Sequence, residues 1–217
     1  QCLCARFEVA ERLRHLGHLR TRLTDPRAKL DQQMQRADEL EERLRRAVRG
    51  RLARLGADVT GVDAAAENVA AAKAHAEGSG LAIDYRLGEL SALGLGRFDL
   101  VTSMEVIEHV ADPMRFLADC AGMLDPGGLM FVATLNRTFK AHALAIIGAE
   151  YILGWLPRGT HDWKKFITTN EMEAGIAGAG LRLKELTGVS YNPLADKWSL
   201  GRDTDVNYMA LAERPAR

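Results

Sequence analysis

Glu105, Glu108 and His109 are spaced i, i+3 and i+4, so one helical turn would carry all three on a single face. Two carboxylates and an imidazole suit a divalent cation that takes oxygen and nitrogen ligands. They suit general-base work equally well, and a solvated turn with local hydrogen bonds would have the same spacing. Asp63 is a second candidate, closing the run Gly56-Ala57-Asp58-Val59-Thr60-Gly61-Val62-Asp63. At the end of a strand in a nucleotide-binding sheet, a carboxylate accepts hydrogen bonds from both ribose hydroxyls. The plainer alternative is a turn aspartate capping the helix that follows. Met104, just before the acidic turn, could lie along an adenosine or simply fill core.

These residues need strands and turns to place them, and residues 56–134 supply the pattern. Apolar runs predict strands over 57–63, 82–87, 98–103 and 129–134. Between them, an alanine-rich helix over 65–76 ends at Gly78-Ser79-Gly80. A helical turn over 105–110 precedes Asp112-Pro113, which opens a helix over 113–124. Asp125-Pro126-Gly127-Gly128 reads as a turn. Strands alternating with helices in this way imply an α/β fold, a parallel sheet with helices on both faces. Ligands of such sheets sit outside the carboxyl ends of the strands, where Asp63, Met104 and Glu105 fall. Further on, a helix over 169–178 is capped by Thr169 or Asn170. Stretches 181–189 and 206–212 read as a closing antiparallel pair, joined by a loop that contains Tyr191-Asn192-Pro193.

The balance of 29 basic and 29 acidic side chains conceals an asymmetry: residues 1–56 carry 14 basic and 8 acidic residues, and the remainder carries the opposite excess. The basic part reads as two charged helices with one thin apolar stripe through Leu30, Met34, Ala37, Leu44, Val48, Leu52 and Leu55. It is a solvated face or a surface for phosphate or anionic lipid, and no nucleic-acid partner is expected. Cys2, Cys4 and Cys120 form neither a disulfide framework nor a metal-ligand spacing, which fits a reducing compartment. The longest apolar stretch, around 141–156, is broken by His142 and Glu150 and falls short of the ~20 apolar residues that cross a bilayer.

Residues 98–110, Asp125-Pro126-Gly127-Gly128 and Thr134-Leu135-Asn136-Arg137 together resemble a class I S-adenosylmethionine-dependent methyltransferase. Gly148-Ala149-Glu150-Tyr151-Ile152-Leu153, the run from Pro157 to Phe166, and Asp205-Val206-Asn207-Tyr208-Met209 are more specific. They resemble the ubiquinone-biosynthesis O-methyltransferases, over about residues 52–212. The resemblance implies a Rossmann-like sheet of seven strands with the last antiparallel. It implies S-adenosylmethionine held at its ribose by Asp63, contacted by Met104, and flanked at the adenine by Glu89. It implies a divalent metal, magnesium by preference, at Glu105, Glu108 and His109, which would also be the catalytic group. The substrate would be a polyprenylated catechol or phenol, methylated on oxygen. The partners would be an anionic membrane surface and other ubiquinone-biosynthesis proteins. The location would be cytoplasmic and peripheral on the inner membrane, or on the matrix side in a mitochondrion. An insertion at about 137–166 would cover the substrate, with Leu144, Ile146, Ile147, Tyr151, Ile152, Leu153 and Trp155 as its apolar surface. Lys140, Arg158, Lys164 and Lys165 would form a basic rim.

The chain departs from the family pattern before Leu52. Where an apolar strand and a glycine-rich loop are expected, Arg43 to Arg51 carries charge at nearly every other position and a single glycine, Gly50. Burying those guanidinium groups in a central strand would cost several kcal/mol each. A helix is expected there instead, so the first strand is missing or replaced by the N-terminal helices. The domain organisation is then a basic helical segment over 1–51 and a methyltransferase-like domain over 52–217. A shifted reading frame upstream of Leu52 would produce the same Arg-rich character and the same abrupt return of the pattern. The alternative function is a degenerate, non-catalytic homologue that binds lipid or acts as a membrane-associated scaffold.

Overall fold

The computed structural model describes residues 46–142, 162–192 and 197–216. The N-terminal helices expected before residue 46, and the insertion residues 143–161 with their apolar surface, lie outside them.

Residues 46–54 form helix α1, as the charge pattern of 43–51 predicts for the part that is described. The expected domain boundary at 51/52 falls inside this helix. Arg49 lies over the Tyr85 ring, 5.2 Å from its centroid, so a cation–π contact fastens α1 to the strands that follow. Strands β1 (Val59–Asp63) and β2 (Ile83–Leu87) pair in parallel, Asp63 opposite Leu87. Helix α2 (Ala66–Gly78) connects them and buries Val69, Ala72 and Ala76 against Tyr85.

The second sheet has five strands in the order β3-β4-β7-β5-β6. These are β3 (Phe98–Met104), β4 (Leu124–Leu135), β5 (Arg182–Asn192), β6 (Lys197–Gly201) and β7 (Asn207–Glu213). β3 and β4 are parallel, whereas β7 runs antiparallel to both β4 and β5. The mixed α/β architecture and the closing antiparallel pair agree with the sequence. Among the described residues, however, the two sheets share no ladder. β1 is hydrogen-bonded along one edge only, and so is β3. Helices α3 (Pro113–Gly122) and α4 (Thr169–Gly178) cover one face of the five-stranded sheet. Leu117, Cys120, Met172 and Ile176 pack there on Met130, Val132, Tyr208, Ala210 and Ala212. Burial pushes the Cys120 thiol up to about 12, so this cysteine behaves as a small apolar side chain.

Local readings are corrected at four places. Asp125-Pro126-Gly127-Gly128 is not a free turn but part of β4. The register jumps from Phe98↔Leu124 to Leu100↔Leu129, so these residues bulge inside the ladder. A Cβ at Gly128 would stand 2.9 Å from Asp125 O and 3.2 Å from Asp99 O, which is why a glycine sits against β3 there. Helix α4 is capped one residue earlier than expected: Thr168 and Glu171 form a capping box. Strand β6 was read as loop; it pairs with β5 from Gly188↔Gly201 to Asn192↔Lys197. Residues 105–110 are not helical. Glu105 has φ 49°, a left-handed backbone that costs a non-glycine residue about 1–3 kcal/mol. It ends β3 abruptly, with its N–H donating to Ala133 O at 3.0 Å.

Candidate active site

The carboxyl ends of β1 and β2 carry the first group of candidates. Asp63 is half-buried, and its Oδ1 accepts from the Ala65 N–H at 2.8 Å. Asn68 Nδ2 reaches Oδ1 at 3.4 Å and Oδ2 at 3.2 Å. Asp63 thus closes a turn just ahead of α2 and does not cap it, since the N-cap is Ala65, which has no side-chain cap bond. Yet a carboxylate has about four acceptor sites, and these bonds leave room for hydroxyl donors. Gly88 N–H donates to Asp63 O at 3.0 Å, which sets exposed Glu89 beside the same strand ends. Glu89 caps a short turn, Leu90–Ala92, whose Leu90 packs against the core of the larger sheet. Met104 stands half-buried at the carboxyl end of β3, opposite Ala133. Asp63, Glu89 and Met104 thus all lie at strand ends or in the loops just beyond them, the side on which ligands of such sheets bind. For its methionine portion, the described residues before β1 present the helix α1 rather than a glycine-rich loop.

The acidic turn is arranged differently from its spacing. Glu108 is 3% exposed, and its Oε2 accepts from Thr134 Oγ1 at 2.9 Å inside the protein. His109, the next residue, is exposed, and its N–H donates to Val106 O at 2.9 Å. With Glu105 in a left-handed conformation and no helix from 105 to 110, the helical turn that would align the three side chains is not formed. Among the described residues no three His, Cys, Asp or Glu side chains are grouped to hold a metal ion. The donor set proposed for magnesium therefore does not fit this arrangement.

A cleft of about 640 Å³ opens beside that turn. One wall is Glu108 to Ala111 with Pro113 and Met114 at the start of α3; the other is Lys164 to Ile167 with Glu171 and Ala174 of α4. Arg137, just past β4, is ion-paired with Glu171 and donates to Lys164 O at 3.2 Å. Burial would raise the Glu171 pKa, but the Thr168 N–H and hydroxyl and the Arg137 guanidinium together hold it below the usual carboxylate value. Tyr208 on β7 is fully buried, and its hydroxyl donates to Ile167 O at 2.9 Å. Burial, with the Glu108, Glu171 and Glu105 carboxylates nearby, drives its pKa far up, so it stays a protonated donor.

Thr134 and Tyr208 were not singled out as site residues. Their signal was the core-facing alternation Met130, Val132, Thr134 and Tyr208, Ala210, Ala212. A hydroxyl at a core-facing position must find a partner. Lys140 does not belong to a free basic rim, because it bonds Asp203 at 2.5 Å and Asp205 at 3.3 Å.

A methyltransferase-domain family profile matches residues 46–132. The chain is 72% identical over 165 residues to the ubiquinone biosynthesis O-methyltransferase of Parvibaculum lavamentivorans, covering 75% of this chain and 65% of that protein. Its identity to the enzyme of the same name from Brucella anthropi is 59% over 167 residues, 76% of this chain and 67% of that protein. The chain thus spans about two thirds of the length of these relatives. Among solved structures it is similar to a SAM-dependent methyltransferase from Methanosarcina mazei, with a TM-score of 0.56 at 15% identity over 77% of this chain and 86% of that one. It is also similar to a magnesium protoporphyrin IX methyltransferase from Synechocystis with bound SAH, with a TM-score of 0.55 at 18% identity over 75% and 67% of the two chains. Those structures show the fold, and the relatives show the lineage: the chain belongs to the ubiquinone biosynthesis O-methyltransferase family.

Proposed function

We propose that the protein methylates a phenolic oxygen of a polyprenylated catechol, using S-adenosylmethionine. The observation that carries this reading is the cleft outside the carboxyl ends of β3 and β4, in a chain 72% identical to a named O-methyltransferase. Identity at that level favours a catalytic protein over a degenerate scaffold.

The cofactor, when bound, supplies an electrophilic methyl group. Asp63 would accept from its ribose, with Met104 and Glu89 alongside the adenosine. The chain's own task is to bring a phenolic hydroxyl to the cleft and take its proton. Phenols ionise near pH 10 and imidazoles near pH 6.5, so a base must act in place at neutral pH. His109 is the exposed imidazole on the cleft wall and is assigned that role. Glu105 precedes it in the same turn. Magnesium is assigned no step, since Glu108 is turned inward onto Thr134. Met114, Phe166, Ile167 and Ala174 offer the ring an apolar bed.

Phe139 is 83% exposed, and Trp163, 37% exposed, is followed by the exposed Lys164 and Lys165. Aromatic and basic side chains together suit contact with an anionic membrane surface, from which a polyprenyl tail would enter. Among the described residues, no helix is long and apolar enough to cross a membrane.

The test is methyl transfer from labelled S-adenosylmethionine to a short-chain prenylated catechol, with calorimetric titration of the cofactor alone. Transfer that His109→Ala reduces at least about tenfold is expected. Absence of both transfer and cofactor binding would refute the function.

A further inference from the structure

Thr134 and Tyr208 are directly opposed in the β4–β7 ladder. Such partners have Cβ atoms about 5 Å apart on one face of a sheet. Both residues are fully buried, and each hydroxyl leaves the sheet toward a different wall of the cleft. Thr134 holds Glu108 of the acidic turn. Tyr208 holds the backbone of the other wall, at Ile167 O and, at 3.4 Å, Thr168 O. The sheet fixes the spacing of the pair, and the pair fixes the two walls.

We propose that Thr134 and Tyr208 are the positioning residues of this site. Through Glu108, Thr134 sets where His109 stands, and Tyr208 sets the facing wall, so that Glu108 is an internal anchor and not a metal ligand. The inference deepens the function proposed above and rests on it only for the identity of the ligand in the cleft.

Thr134→Val keeps the shape and removes the donor, whereas Thr134→Ser keeps the donor. Tyr208→Phe removes only the second hydroxyl. Hydrogen exchange reads wall order without turnover. Thr134→Val should speed exchange over residues 105–110, and Tyr208→Phe over residues 166–169, each by about tenfold, the scale of one lost buried hydrogen bond. The β5 amides should be unchanged, and Thr134→Ser should return the first wall to the unmodified rate. In turnover, Thr134→Val should lower kcat more than it raises KM for catechol. Titration of Mg²⁺ alone into the unmodified protein and Glu108→Gln should give the same response in both.

Equal exchange at residues 105–110 in Thr134→Val and the unmodified protein would overturn the proposal. So would magnesium-dependent protection of that turn that Glu108→Gln abolishes. Failure of the unmodified protein to methylate any catechol counts against the proposed function and leaves the exchange result to decide on the pair.

Discussion

The two sheets are built to different strengths. Among the described residues, the β1–β2 unit closes over Val69, Ala72, Ala76 and Tyr85, two of them alanines, with Leu81 and Ile83 partly buried alongside. The five-stranded sheet buries a contiguous set that includes Leu117, Leu124, Met130, Met172, Ile176 and Tyr208. Hydrophobic stabilisation scales with apolar area, so an alanine-lined core contributes a fraction of what a Leu/Ile/Met core does. The two strands among the described residues are also a marginal sheet by themselves. The candidate ribose-binding Asp63 sits on the weak unit and the cleft on the strong one. The smaller unit is expected to open at a lower cost than the five-stranded sheet.

The contrast can be broken most sharply at Gly188. A Cβ there would stand 1.8 Å from Asp203 O, with no flexible side chain to yield. Gly188→Ala should cost about 3 kcal/mol in urea unfolding, and it should do so for the large sheet while the β1–β2 amides stay as they were. A cost below about 1 kcal/mol would mean that the loop over 202–205 moves aside.

Core truncation gives a graded test. Leu117→Ala or Ile176→Ala should cost about 2–5 kcal/mol of global stability. Val69→Ala, removing atoms from the small core, should cost under about 1 kcal/mol globally. Its effect should appear as faster exchange over 59–63 and 83–87. Equal costs at the two places would show that the sheets unfold as one body.

Acid should produce the smallest change. The folded Glu171 carboxyl titrates below its usual value of 4.5. The stability it contributes is therefore complete above about that pH and is lost as pH falls through the lowered folded value. The melting-temperature gap between the unmodified protein and Glu171→Gln should narrow from pH 6 to pH 3. A constant gap would remove Glu171 from the electrostatics of the cleft.

Strands β4 and β7 were legible in the sequence, because a row of apolar residues must line the face that α3 and α4 cover. Strand β6 was not, since its pairing with β5 leaves Ser199 and Leu200 exposed and no alternation marks it. The acidic turn misled for a physical reason. An i, i+3, i+4 spacing places side chains together only if the backbone is helical, and Glu105 in the left-handed region removes that condition. Family resemblance pointed to Asp63 and Met104 as cofactor contacts, and what the fold shows of them is their position at strand ends. It could not show that Glu108 faces inward, because that depends on Thr134, 26 residues away along the chain.

The stretch from His142 to Trp163 begins and ends at one place. The two rings meet edge to face with centroids 5.7 Å apart, and Trp163 Nε1 donates to Thr138 O at 3.2 Å. The two rings lie between β4 and β5, so a change in chain length between them re-registers no described strand.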